Sequence, residues 1–198
     1  LGVRSDAVRA IMEAFKGPTA TPPAAHLVVF TGHCIDTDGA PPRFPARAEG
    51  EARQLIREKL TQFNQDLKEG EQLTVLASAA PGADILAHEV CAELNVKSRL
   101  CLPMPAEDVA RKVFGAADAW RTRFHAIVKS HQEGLLQLAD HAELPRWLQG
   151  RGNIDPWERG NRWVLKTAQT WGAQRVTLLA LWDGHDDGRT GGTAHMVR

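Results

Sequence analysis

The sequence predicts an α/β protein: an open, doubly wound, mostly parallel sheet of Rossmann-like type, preceded by an N-terminal helix. Three observations lead there. Short apolar, β-branched runs alternate with longer segments of helical periodicity. The runs show no polar–apolar alternation, as expected of strands buried on both faces. Most of them end in a loop of small or polar residues before a helix begins, which is the βαβ plan with right-handed crossovers.

The elements follow in chain order. Between Arg4 and Lys16, Val8, Ile11, Met12 and Phe15 recur at helical spacing and predict a short amphipathic helix. "GPTATPPAA" breaks it as a linker. The expected division is therefore 1–25 as helix and linker, and 26–198 as the Rossmann-like domain. "HLVVFTG" (His26–Gly32) is the first strand, and "HCIDTDGAPPRFP" a loop with three prolines. Ala46–Lys68 reads as a helix through Ala52, Leu55, Ile56, Leu60, Phe63 and Leu67. Gln72–Ser78 is the second strand, Ala83–Leu94 a helix and Val96–Pro103 the third strand. One polar helical stretch is expected from about Glu107 to Leu138, with Trp120 and Phe124 on one face. Leu144–Pro156 is irregular, Trp157–Trp171 helical, and Gln174–Trp182 the last strand. A further helix starts at Thr193.

The 198 residues suit one large domain with enough core to fold without disulfides or metals. Lys+Arg and Asp+Glu are each 24, so the formal charge is zero and no broad nucleic-acid-binding face is expected. No apolar run approaches the ~20 residues of a bilayer span. The three cysteines, Cys34, Cys91 and Cys101, form no CxxC pair and read as reduced thiols of a cytoplasmic protein. The first residue is Leu1 and the last residues read as a helix just begun, so the chain is expected to be part of a longer protein.

In an open parallel sheet, ligands bind beyond the carboxyl ends of the strands. The last such loop, "WDGHDDGRTGGTAHMV", joins a strand to a helix start through glycine-rich backbone. Gly188, Gly191 and Gly192 let N–H groups approach an anion, and Thr193 either caps the helix or donates its hydroxyl. The plain alternative is a surface turn. Ser78, Gly82, Ala83 and Asp84 form a second loop of mostly small residues. Asp84 either takes a sugar hydroxyl or caps the helix, and Glu89 reads mainly as a solvated helix residue. Gly32 and His33 close the first strand, with His33 a phosphate or ribose donor or a structural histidine. Trp182 stacks on a base or joins the core; Asp183 binds a ribose or caps its turn. Asn161 is polar beside an apolar face and is a candidate to enter the cleft. Arg121 and Arg123 flank Trp120 as phosphate partners or as a solvated face. No HExxH, GxSxG, GxGxxG or GK[ST] pattern occurs where it would matter, which weighs against zinc protease, α/β-hydrolase, dehydrogenase and kinase chemistry. No metal site and no cofactor are expected.

Three segments together, "VVFTGHCID", "LASAAPGADILAHEV" and "NRWVLKTA…LLALWDGHDDGRTGGTAHMV", resemble the SLOG superfamily, related to the LOG phosphoribohydrolases and the DprA Rossmann-like fold. The resemblance spans about Leu27 to Val197. It implies a domain that binds a nucleotide or nucleotide-derived signal, as a sensor within a larger signalling or defence protein of bacterial type. A fused downstream domain and a possible homo-oligomer go with it. Catalytic relatives carry PGGxGTxxE, whose glutamate assists glycosidic cleavage. Here Gly191-Gly192-Thr193 is kept, but Met196 stands at the glutamate position. That favours binding over turnover. A LOG-type hydrolase using Asp84 or Glu89 is the alternative. A protein-interaction module docking through Glu107–Gly152, with a vestigial cleft, is the second.

Overall fold

The computed structural model describes residues 26–37, 42–115, 118–149, 154–186 and 191–198. The expected N-terminal helix and linker lie outside the described residues. Five strands form one sheet in the order β4-β3-β2-β1-β5: β1 His26–Gly32, β2 Leu73–Ala77, β3 Lys97–Leu102, β4 Leu136–Gln137 and β5 Arg175–Leu181. Every pairing is parallel, with His26 opposite Leu73 on one side and Arg175 on the other. The doubly wound α/β reading holds.

The helices are α1 Glu49–Gln65, α2 Ala83–Glu93, α3 Ala106–Val113, α4 Ala119–Ser130, α5 Pro156–Thr170 and α6 Thr193–Val197. One face of the sheet, through Val28, Phe30, Val75 and Ala77, packs on α1 and α2. The other, through Leu27, Val29 and Leu76, packs on Val164 and Ala168 of α5 and Met196 of α6. Burial on both faces is why β1 and β2 are continuous apolar runs. A third cluster gathers Leu100, Leu102, Met104, Val109, Phe114 and Phe124 where α3 and α4 cover the β3 end.

Local chemistry sets the helix ends. Ala52, Ile56 and Leu60 form the buried stripe of α1, while Glu49 and Glu51 sit in its first turn, where the helix dipole favours anions. Asp155 caps α5, accepting the Trp157 and Glu158 N–H groups at 2.8 Å each, and Pro156 opens its first turn.

The single helix expected from Glu107 to Leu138 is a correction. The chain leaves α3 at Phe114, whose backbone is extended (φ −114°, ψ 139°), and restarts at α4 under an Asp118 cap. Val109, Phe114, Phe124 and Ile127 all face the same cluster, so the apolar period runs through the break and hides it. The expected helix also contained β4, a two-residue strand that extends the sheet beyond β3. Two residues carry no periodicity.

No disulfide joins the three cysteines; burial pushes the Cys91 and Cys101 thiols up to about 12. No helix among the described residues is long and apolar enough to cross a membrane.

Leu86 is fully buried between α2 and the sheet. Leu86→Ala is expected to lose about 2–5 kcal/mol of unfolding free energy, since a close-packed site refills a cavity only in part. Urea unfolding with an unchanged m-value checks this.

Candidate functional site

The connectivity reverses at β1. From β1 the chain steps through β2, β3 and β4 in one direction, then returns to lay β5 on the other side of β1. The helix after β1 lies on one face and the helix after β5 on the other. The two loops therefore diverge and leave a crevice at the carboxyl ends, the place where open α/β sheets accept ligands.

His33 and Asp183 meet across that crevice. His33 Nε2 lies 3.0 Å from Asp183 Oδ1, and the His33 N–H donates to the Leu181 carbonyl at 3.1 Å. The His185 N–H donates to Asp183 at 2.9 Å. That bond, with His33 beside it, holds the Asp183 carboxyl below the usual carboxylate range. Trp182 is half-buried and donates its indole N–H to the His185 carbonyl at 2.9 Å. Beside them a cleft of about 180 Å³ is lined by His33, Arg43, Phe44, Leu181, Trp182 and Asp183. Asp36 shapes this wall by accepting the Arg43 and Phe44 N–H groups at 3.0–3.1 Å. Arg43 and Phe44 are absent from the candidates expected from sequence; only their place after a Pro-rich loop could have pointed to them.

The loop after β2 lies beneath the β1 loop. Gly82 has φ +115°, and a Cβ there would stand 2.5 Å from the Ile35 nitrogen and 2.8 Å from the His33 carbonyl oxygen. Only glycine fits this crossing. The Ala83 N–H donates to the His33 carbonyl at 3.1 Å, and Ile35 N–H to the Pro81 carbonyl at 2.8 Å. Gly32 is equally constrained, since a Cβ would lie 2.3 Å from that of Ala83. Gly32, Gly82 and Ala83 thus set the floor under His33.

Asp84, in the first turn of α2, is only 7% exposed. Its Oδ2 accepts the Ala80 N–H at 3.4 Å, while its Oδ1 is buried without a hydrogen-bond partner. Burial pushes its pKa up to about 7, against the pull of the Ala80 and Gly32 N–H groups. Next to it the Ser78 carbonyl accepts from His88 Nε2 at 2.9 Å, and burial, then His131, lowers the His88 pKa to about 4.

Gly191, Gly192 and Thr193 do not line the cleft beside His33 and Asp183. Gly191 has φ +79°, and a Cβ there would meet the Trp157 Cβ at 2.7 Å and the Asp155 Oδ1 at 2.9 Å, so it packs against the start of α5. Its carbonyl accepts from Asn161 Nδ2 at 2.8 Å; the expected cleft-facing asparagine therefore holds this loop. Gly192 precedes α6, no side chain caps that helix, and Thr193 is buried. Ser78 and Asn161 share a recess of about 20 Å³ at this side of the sheet, room for little more than a water. Residues 187–190 of the same loop, with the expected Gly188, lie outside the described residues. Among the described residues no three His, Cys, Asp or Glu side chains cluster as a metal site would require.

Glu89 is the clearest correction. It is not a solvated helix residue. Arg123 grips it with two bonds, 2.7 Å to Oε1 and 2.6 Å to Oε2, and Arg53 holds Oε2. Arg123 also reaches Glu49 at 2.8 Å and stacks 3.9 Å over the Trp120 ring. Burial works to raise the Glu89 pKa, and Arg123, then Arg53, more than offset it, leaving the carboxyl below its ordinary value. A doubly clamped carboxylate in an inter-helix network ties α1, α2 and α4 together and is no proton donor.

A scan against protein-family models matches no family, and a search of curated proteins finds no match.

Two variants separate these carboxylates. Glu89→Gln is expected to lose roughly 1 kcal/mol of stability at pH 7, because two half-buried guanidinium groups lose their shared anion. For Asp84 the folded pKa lies above the unfolded one. As pH rises from about 4 to about 7 the unfolded chain releases the proton first, so this group's contribution to stability declines through that window. Asp84→Asn is therefore expected to gain stability relative to the parent on going from pH 4 to pH 8. A melting-temperature difference that stays constant across that range would contradict the assignment.

Proposed function

We propose that this domain binds a nucleotide or nucleotide-derived signal at the carboxyl ends of β1 and β5. The observation that carries the reading is the crevice at the reversal of strand order, bridged by His33 and Asp183 and walled by Arg43, Phe44 and Trp182. An aromatic wall suits the face of a base. The Asp183 carboxylate suits ribose hydroxyls, and Arg43 suits phosphate. At about 180 Å³ the cleft takes a base or sugar rather than a whole dinucleotide. Gly191, Gly192 and Thr193 then serve a phosphate that extends towards α6. Gly32, Gly82 and Ala83 support the site from below.

This reading agrees with the resemblance to the SLOG superfamily and makes the domain a cytoplasmic sensor within a larger signalling or defence protein. A second reading, nucleotide cleavage at the glycosidic bond, is favoured by one observation: Asp84 is a buried carboxyl with an orphan oxygen and a pKa near neutrality, as a general acid requires. Met196 packs in the core and has no such role.

Native mass spectrometry with a panel of nucleoside monophosphates, ADP-ribose and cyclic oligonucleotides tests both. One intact ligand per chain is expected, with at least tenfold weaker binding in Trp182→Ala and Asp183→Ala and an unchanged circular dichroism spectrum. Free base lost in Asp84→Asn would select the hydrolase. No binding by any member of the panel would overturn the site.

A further inference from the structure

A second cavity, of about 420 Å³, shares no residue with the candidate cleft. One wall is α5 and the other is the irregular segment that follows β4. Both walls are held in place. On α5, Trp163 rests against the cluster of Leu27, Val29 and Leu76. In the other wall the Leu138 N–H donates to the Leu102 carbonyl at 2.9 Å, and the Leu148 N–H to the Pro145 carbonyl at 2.8 Å. Gln149 Nε2 closes the same turn on the Leu144 carbonyl at 2.7 Å. Leu138, Leu148, Ile154 and Trp163 make the apolar lining. Trp147, beside Leu148 in the chain, is 65% exposed, more than any other large hydrophobic among the described residues. Tryptophan and arginine are enriched at protein interfaces over free surface.

The charge of this groove is one-sided. Arg159, Arg162 and Lys166 recur at i, i+3 and i+7, so they share one side of α5 and spread over ~10 Å. The two acids among them are engaged. Asp155 accepts the Trp157 and Glu158 N–H groups as the helix cap. Glu158 pairs with Arg162 at 2.6 Å and faces His195 at 3.5 Å. Arg159 and Lys166 have no ion-pair partner among the described residues.

We propose that this groove docks an acidic segment of a partner protein, an apolar anchor flanked by carboxylates. Alternate residues of an extended segment share a face, so the pattern acid–x–apolar–x–acid presents its anchor between two carboxylates ~13 Å apart. That span matches the cations on α5, whose long stems adjust to it. The anchor enters the lining of Leu138, Leu148, Ile154 and Trp163, and the carboxylates meet Arg159 and Lys166. A nucleic acid suits the groove less. Two uncommitted cations are few beside the roughly 6–10 phosphates that nucleic-acid-binding proteins contact. The lining is mostly aliphatic, whereas single strands stack their bases on aromatic faces. The balanced total charge of the chain agrees.

Selection of random peptides displayed on phage against the whole chain, then fluorescence anisotropy of the synthesised consensus, tests this. The selected sequences are expected to share an apolar residue with Asp or Glu two positions to each side. The consensus peptide is expected to bind at least tenfold more weakly to the double variant Arg159→Glu, Lys166→Glu, with an unchanged circular dichroism spectrum. A peptide carrying Lys in place of its acids is expected to recover that loss in the double variant. Lys112→Glu, an exposed charge reversal on α3 outside the groove, is expected to bind as the parent does. No acidic consensus, equal binding to the double variant, or an equal loss in Lys112→Glu would overturn the proposal. So would a single-stranded oligonucleotide that displaces the peptide and binds more tightly, which would make nucleic acid the occupant. No nucleotide enters the readout, so failure of the nucleotide reading leaves this test unaffected.

Discussion

Gly82 lets the turn after β2 pass directly beneath the chain that leaves β1, and the carboxyl edge is organised around that crossing. The backbone at 33–35 lies closer to Gly82 than any side chain permits, and two backbone hydrogen bonds, Ala83 to His33 and Ile35 to Pro81, lock the layers together. The same approach forces Gly32 to lack a Cβ against Ala83. With its backbone fixed from below, His33 stands at the β1–β5 boundary, where Asp183 completes the contact. A close backbone approach of this kind tolerates no slack, because packed layers do not deform continuously.

Three buried or half-buried ionisable groups on α2 show how surroundings divide similar chemistry into different roles. Asp84, His88 and Glu89 lie within two turns of one another. Glu89 is compensated by two guanidinium groups and stays an anion. His88 is held neutral by burial, bonded to a carbonyl and to Ser98. Asp84 has weak backbone donors and one oxygen without a partner, so burial dominates and the proton is retained near neutrality. Distance to a compensating charge, rather than residue type, decides which carboxyl stays ionised and which holds its proton towards neutrality.

The sheet itself is asymmetric. β1 and β2 are covered on both faces and paired on both edges, while β5 is paired on one edge and partly open on both faces. The candidate cleft adjoins a second groove of about 310 Å³ between α1 and β5, and Leu55, Leu181 and Trp182 line both. The strand that contributes half of the crevice is thus also the least enclosed part of the sheet.

The backbone plan was legible because it is written in local periodicity. Runs such as "HLVVFTG" and "QRVTLLALW" are strands wherever they are buried, and the small-residue turns after them mark the carboxyl edge. The break between α3 and α4 and the strand β4 were not legible, since the apolar period continues through the first and the second is too short to have one. His33 and Asp183 could be nominated singly as loop residues, but their contact joins positions 150 apart. Glu89 read as solvated because Arg53 and Arg123, 36 and 34 positions away, are invisible to any local pattern. The sequence by itself determined the alternation of strands and helices, through propensities and burial that act over a few residues. Only the tertiary structure decided which charges are paired, which glycines serve packing and which carboxyl is left alone, because those depend on distances set by the whole chain.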